Sequence, residues 1–302
     1  MKYSRGYVMI LCAALFWGVS ATGAKILLNR QLDTILLVQS RVTFSALILL
    51  GFYALFKPHV LRVEPKDLWR FALLGILGIA GANFCYYYTI KESTVATGIL
   101  IQYTAPLLVM GYAALTKEES VTGIKILAGV ISLLGCFLAV GGYDSSVLTI
   151  TTLGMLTGIG SILCFAFLNI FTHRVLGKYS VWTVAFYSIA FAAMFWLVLN
   201  PPWNVIAQSP PPETWRALVV LAVVSVLIPH TLYFAGLQYV APSRAIITST
   251  FEPIVAIVSS AIILHEYLEF GQILGALMVL GAIILLQIQQ EPVTSGQGPH
   301  AS

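Results

Sequence analysis

The chain has 302 residues, 59% of them hydrophobic and 9% charged, with a formal net charge of +4. Soluble domains carry about 25% charged residues, so this composition excludes an ordinary water-soluble fold. The small basic excess does not indicate nucleic acid, because the lysines and arginines are scattered over short connections between apolar blocks, where they act as topology signals.

Ten apolar blocks follow in chain order, at about 7–27, 35–56, 69–90, 94–116, 121–141, 152–172, 180–200, 215–237, 243–264 and 270–288. A helix needs about 20 mostly apolar residues to cross a ~30 Å hydrocarbon core at about 1.5 Å per residue. Backbone groups in lipid must be satisfied within the segment, so each block reads as a helix. The expected fold is an all-α membrane protein with ten transmembrane helices. The first block follows Lys2 and Arg5 as a signal peptide would, but it runs on to about Leu28 without a small-residue cleavage site and counts as a helix. Three connections stand out: the basic 57–68, the serine-rich 142–151 and the proline-rich 200–214. Residues 289–302 are polar, contain proline and glycine, and read as a disordered tail. Cys12, Cys85, Cys136 and Cys164 lie inside apolar blocks without a CxxC, which favours buried packing over a disulfide or a metal site.

With the N-terminus inside, eleven lysines and arginines fall on the cytoplasmic side, and only Lys25, Arg30, Lys91 and Arg216 fall outside. That asymmetry predicts a multi-pass protein of the inner (plasma) membrane with both termini cytoplasmic.

The chain also repeats itself. A shift of 147 residues brings Asn83 onto His230, Tyr86 onto Tyr233, Pro106 onto Pro253 and Glu119 onto Glu266. At a shift of 146, Gly129 meets Gly275 and Gly135 meets Gly281; at 148, Gly6 meets Gly154 and Trp17 meets Phe165. The common order of these pairs divides the chain into a first five-helix repeat, 6–141, and a second, 152–288. Five is odd, so the second copy enters the membrane upside down. Two inverted five-helix repeats are a recurring design of secondary transporters, with the substrate near the midplane between the copies.

The same residues resemble a known family, the EamA-like branch of the drug/metabolite transporter superfamily. The likeness is carried by Trp17-Gly18, by Arg41, by TAPLLVMGYAALTKEE around Pro106, and by FEPIVAIVSSAIILHEYLEFGQILGALMVLGAIIL with Glu252-Pro253 and Glu266. It covers about residues 6–288. It implies a transporter of amino acids, other metabolites, sugars or drugs, often moving them outward and often driven by an ion gradient. It also suggests a structural or gating role for Arg41, paired with Asp33 or a carbonyl.

Glu252 is the strongest candidate, because a carboxylate in the middle of a span costs about 2.5–3.5 kcal/mol. Arg244, Thr248, Glu252 and Ser259 share one helix face, so Glu252 should look inward and either take up a proton or bind an amine. The alternative is a protonated carboxyl hydrogen-bonded within the bundle. Asn83 and His230 are costly in lipid without partners and should also face the interior. They could bind substrate from the two halves, with His230 able to titrate, or serve as interhelical hydrogen bonds. Gln102 and Asn169 are weaker versions of the same case. Pro106, Pro229 and Pro253 free the carbonyls of Gln102, Ser225 and Ser249, marking either hinges or static kinks. Trp17 and Tyr103 could line the pathway or simply pack. The run Tyr86-Tyr87-Tyr88 sits near a span end, where interfacial tyrosines belong without any ligand. Lys25, Lys125 and Arg244 are placed to snorkel. Gly154–Gly158 and Gly271–Gly275 suit close packing, within the chain or in a homodimer.

The chain has no Walker, HExxH or GxSxG motif, so no catalytic residue, metal site or cofactor is assigned. The expected function is export of a small, amino-acid-like metabolite by proton-coupled alternating access, with that solute and the lipid bilayer as partners. A membrane-embedded enzyme on lipid-linked substrates, or a passive channel, is the competing reading.

Overall fold

A computed structural model describes residues 2–30, 32–144, 148, 150–207, 210–264 and 268–288. Among them the regular structure is helical throughout, with no strand. Glu266, expected to mate with Glu119, and the expected tail 289–302 lie outside the described residues.

The long helices are α1 (Lys2–Asn29), α2 (Thr34–Phe56), α3 (Pro65–Lys91), α4 (Ala96–Thr116), α5 (Gly123–Ala139), α6 (Thr152–Leu176), α7 (Val181–Leu199), α8 (Pro212–Leu237), α9 (Pro242–Ile263) and α10 (Phe270–Ile288). Among the described residues, nine are long and apolar enough to cross a membrane; α5 is a shorter apolar helix of 17 residues. Its end is built in: Gly141 takes a φ of 75°, and the Gly142 and Gly141 N–H groups return to the Phe137 and Leu138 carbonyls. That closing motif ends a helix, and only glycine adopts its left-handed conformation at little cost. At the starts, Asp33, Thr94, Thr122, Thr151 and Ser180 each accept a hydrogen bond from the N–H three residues on. Such caps stabilise by about 1 kcal/mol each, and they set the boundaries where polar connections meet apolar blocks.

Four helices depart from regular geometry. Leu74–Gly81 in α3 and Val223–Leu227 in α8 are π-helical, and shifting the second back by 147 residues lands it inside the first. The helix of α4 is interrupted at Tyr103–Thr104 and that of α9 at Ser249–Thr250, again at corresponding positions.

Glycines set the closest helix approaches. Helix α1 packs against both α8 and α9. A Cβ at Gly236 would stand 3.0 Å from the Gly6 carbonyl, and one at Gly18 would stand 2.7 Å from the Glu252 carbonyl. Helices α5 and α10 cross at Gly135 and Gly275, where a Cβ on Gly275 would come within 2.3 Å of the Ala139 nitrogen. Gly271 faces Tyr143, Gly154 faces Glu92 and Gly158 faces Ile101, so both small-residue segments are taken up by packing within the chain.

Three sequence expectations change. Lys125 does not snorkel: it is 1% exposed and pairs with Glu119 at 3.0 Å, because the α4–α5 turn folds over it. Arg244 is likewise buried, donating to the Leu286 carbonyl at 2.8 Å and to the Tyr7 hydroxyl at 3.2 Å. Cys12 is exposed on the helix surface, whereas Cys136 is buried. The Lys25 side chain lies outside what is described.

Gly275→Leu should prevent close approach of α5 and α10, since overpacking costs about 1–3 kcal/mol or more and here meets backbone atoms. The expected result is a large drop in the thermal midpoint of the purified protein. Gly281→Leu, where a Cβ meets nothing within 4 Å, should leave that midpoint near the wild-type value.

Candidate functional site

A cavity of about 260 Å³ lies between the helices. Its walls come from α1 (Trp17, Ser20, Thr22), α2 (Arg41), α3 (Asn83, Tyr86, Tyr87), α4 (Ile99, Gln102), α6 (Phe165, Leu168), α8 (His230) and α9 (Glu252). It extends past Ile90, Ala96, Val140 and Leu268, all near helix ends on the side where α1 and α3 finish. At the other end of the bundle the helix connections are tied by charge. Lys178 reaches Asp67 at 2.5 Å and Glu64 at 3.1 Å, Arg174 reaches Glu118, and the Ser243 hydroxyl donates to Glu119. Every ion pair given among the described residues lies at that second end. Lys66 and Lys178, hydrogen-bonded to Glu64, hold its carboxyl below the usual range.

The helix irregularities place the polar groups. In α3 and α8 the π-helical turns are followed by Asn83 and His230. Asn83 Nδ2 donates to the Ile79 carbonyl at 2.7 Å, and His230 Nδ1 lies 3.0 Å from the Val226 carbonyl. Both bonds run four residues back, so the repeat mates do the same local work with different side chains. π-Helical turns are frequent at functional sites because they redirect side chains that a regular helix would aim elsewhere.

Pro229 and Pro253 leave the Ser225 and Ser249 carbonyls without their usual helical donors. Other donors reach them: Trp17 Nε1 donates to the Ser225 carbonyl at 3.1 Å, and the Glu252 N–H donates to the Ser249 carbonyl at 2.9 Å, with the Tyr103 hydroxyl 3.2 Å away. The same hydroxyl donates to Glu252 Oε2 at 2.7 Å. Glu252 stands in the first turn after the break in α9, where the helix dipole favours a carboxylate. Pro106 and Pro253 likewise fall in the first turn of a second half-helix, where a missing N–H is no loss.

Of the sequence candidates, Glu252, His230, Asn83, Trp17 and Gln102 meet at the cavity. Gln102 Oε1 accepts from the Ser161 hydroxyl at 2.6 Å, and Trp17 meets the His230 ring edge-on at 5.3 Å between centroids. Tyr103 is buried behind Glu252 and is not in the wall. Asn169 is 0% exposed and sits outside the cavity, bonded to the Phe165 carbonyl and to the Tyr233 hydroxyl. Two readings are corrected. Tyr86 and Tyr87 are wall residues, because the cavity reaches past them to Ile90 near the end of α3. Arg41 does not pair with Asp33, whose carboxylate caps α2; its guanidinium donates to the Tyr87 hydroxyl and to Asn83 Oδ1, the latter at 3.3 Å. The signal for Arg41 was present in the sequence as a cation two turns inside a span.

The EamA-like transporter family matches residues 4–141 and 152–288. The chain belongs to that family. Its relatives include a Salmonella typhimurium protein named uncharacterized inner membrane transporter YicL, 25% identical over 289 residues, covering 94% of this chain and 95% of that one. The threonine/homoserine exporter RhtA of Salmonella typhimurium is 28% identical over 258 residues, covering 83% of this chain and 82% of its own. RhtA of Escherichia coli K12 is 27% identical over 248 residues, 81% of this chain and 77% of its own. A solved crystal structure shares the fold with a TM-score of 0.76 at 16% identity, covering 94% of this chain and 97% of that chain. The EamA-like chain is thus a multi-span membrane protein whose relatives are transporters.

Tyr103→Phe removes the hydroxyl that donates to Glu252. It should lower stability by about 0.6–2 kcal/mol, the range for polar contacts between membrane helices, and alter ligand binding. Tyr187→Phe, which removes a hydroxyl donated to the Leu61 carbonyl at the opposite end of the bundle, should leave ligand binding unchanged. Thermal midpoints with and without ligand check both.

Proposed function

We propose that this EamA-like chain is a secondary transporter that exports a small amino-acid-like solute by alternating access. Its working parts are ten membrane helices in two inverted repeats, residues 6–141 and 152–288, with both termini cytoplasmic. The observation that carries the reading is a single cavity closed around Glu252 by helices from both halves. Substrate sites of such transporters lie between the repeats and use discontinuous helices; α4 and α9 are both interrupted beside this cavity. The corresponding π-helical turns and helix breaks support the repeat assignment. The exporter RhtA supports an amino-acid-like cargo and the outward direction.

In this orientation the cavity opens outward, and the ion pairs of Asp67, Glu64 and Lys178, and of Glu118 and Arg174, close the cytoplasmic end between the halves. Pro106, Pro229 and Pro253 mark the hinges about which the half-helices swing. Glu252 and His230 are the titratable groups in the wall and are assigned the proton that couples movement to a gradient. A passive channel would not need one end sealed by ion pairs. No catalytic role is assigned, in line with relatives that are transporters.

Reconstitution into proteoliposomes tests the function directly. Wild-type protein should give saturable amino-acid flux that responds to an imposed proton gradient. Glu252→Gln should lose gradient-driven flux by at least tenfold while folding normally. Gradient-insensitive, non-saturating flux by the wild type would overturn the carrier reading, and an unaltered response in Glu252→Gln would remove the proton from Glu252. Lys178→Ala combined with Arg174→Ala should loosen the cytoplasmic end, seen as faster labelling of a cysteine placed there.

A further inference from the structure

Arg41 and Glu252 carry opposite charges into the same cavity wall, and neither is neutralised by an ion pair. Arg41 is 4% exposed, and its hydrogen-bond partners are the neutral Tyr87 hydroxyl and Asn83 amide. Its guanidinium lies over the Tyr87 ring, 5.1 Å from the centroid, and Nε is buried without a partner. Glu252 receives only the Tyr103 hydroxyl among the described residues, at 2.7 Å. Both line the same cavity, and no ion pair joins them.

Charged side chains at membrane depth almost always pair with one another or face a watery cavity that serves a substrate or ion. Here the buried cation Lys125 follows the first course, matched by Glu119 at 3.0 Å. Arg41 and Glu252 follow the second. Planar guanidinium suits a carboxylate, which it can grip with two parallel hydrogen bonds, and Asn83 beside it offers a further amide. A carboxylate in the first turn of a half-helix, fixed by a tyrosine, suits an ammonium.

We propose that the cavity is a two-point receptor for a zwitterion, an α-amino acid whose carboxylate docks on Arg41 and whose ammonium docks on Glu252. This rests on the transport reading above and adds the recognition chemistry to it. A simple amine would leave Arg41 unmatched, and a simple carboxylic acid would leave Glu252 unmatched. A zwitterion answers both charges while remaining neutral overall, which lowers the cost of moving it through the bilayer. Tyr86, Ile99 and Phe165 give the wall an apolar and aromatic stretch, which receives the side chain.

The test is thermal stabilisation of the purified full chain by each of the twenty protein amino acids, since a ligand that binds only the folded state raises its midpoint. For every amino acid that stabilises, its carboxamide, its decarboxylated amine and its deaminated acid are compared. The wild type should bind each of these at least tenfold more weakly than the parent. Arg41→Gln should abolish the preference for the amino acid over its carboxamide, and Glu252→Gln the preference over the deaminated acid. Should Arg41→Gln not fold, Arg41→Lys keeps the charge, and the analogue series on wild type decides alone. No stabilisation by any of the twenty, or equal binding of the carboxamide, overturns the proposal. Flux of a solute lacking one of the two charges would sink this inference and leave the transporter standing; amino-acid binding with no flux in proteoliposomes would do the reverse.

Discussion

Two carbonyl oxygens, those of Ser225 and Ser249, tie the site to the fold. In lipid no water satisfies a backbone group that a helix releases, so an interrupted helix survives only where another donor reaches the gap. Trp17 comes from α1 to the first carbonyl; the second takes the Glu252 N–H at 2.9 Å, with the Tyr103 hydroxyl of α4 packed 3.2 Å away. Each aromatic is also part of the site: Trp17 meets His230, and Tyr103 holds Glu252. The side chains that shape the polarity of the cavity therefore also stand at the interruptions that open it. A change at Trp17 acts on backbone and site together.

Helix approach completes the arrangement. Gly18 lets α1 lie against the Glu252 carbonyl, closer than any side chain would permit. That contact turns neighbouring Trp17 toward the cavity, which gives physical content to the Trp17-Gly18 pair seen in the sequence. Gly135 and Gly275 do the same for α5 and α10 on the far side of α9. The polar wall is thus held by apolar packing, the stronger source of specificity where hydrogen bonds between membrane helices contribute only about 0.6–2 kcal/mol.

Much of this was legible before any coordinates. Block length and polarity depend on the thickness of the hydrocarbon core, so the apolar helices could be counted from hydropathy. Glu252, Asn83 and His230 stood out because polar groups at depth carry a cost that only an interior position relieves. Asn83 and His230 were expected to bind substrate or to bridge helices, and both also bond a carbonyl four residues back in their own helix. What escaped was the reach of the cavity and the local packing. Tyr86 and Tyr87 look interfacial from their place near the span end, and hydropathy does not show that the cavity reaches that far. Lys125 and Arg244 look free to snorkel because sequence shows their distance from a span end but not the turn or helix folded over them. Asn169 shows the opposite error: the cost of burying an amide was read correctly, but Tyr233 and a carbonyl meet it outside the cavity.

The asymmetry between the halves follows from the same accounting of polar groups. Corresponding π-helical turns present Asn83 in one half and His230 in the other, and the shift of 147 residues sets Ala105 against Glu252. The first half brings Arg41 and its amide neighbour Asn83; the second brings the carboxylate and the imidazole. Two copies with identical side chains would face the cavity with like charges, which repel each other and suit only a ligand of the opposite sign. Divergence of the copies replaces that with a cation on one side and an anion on the other. On the transport reading proposed above, the matching backbone irregularities serve both halves, while the differing side chains give the cavity a direction along which a dipolar solute can lie.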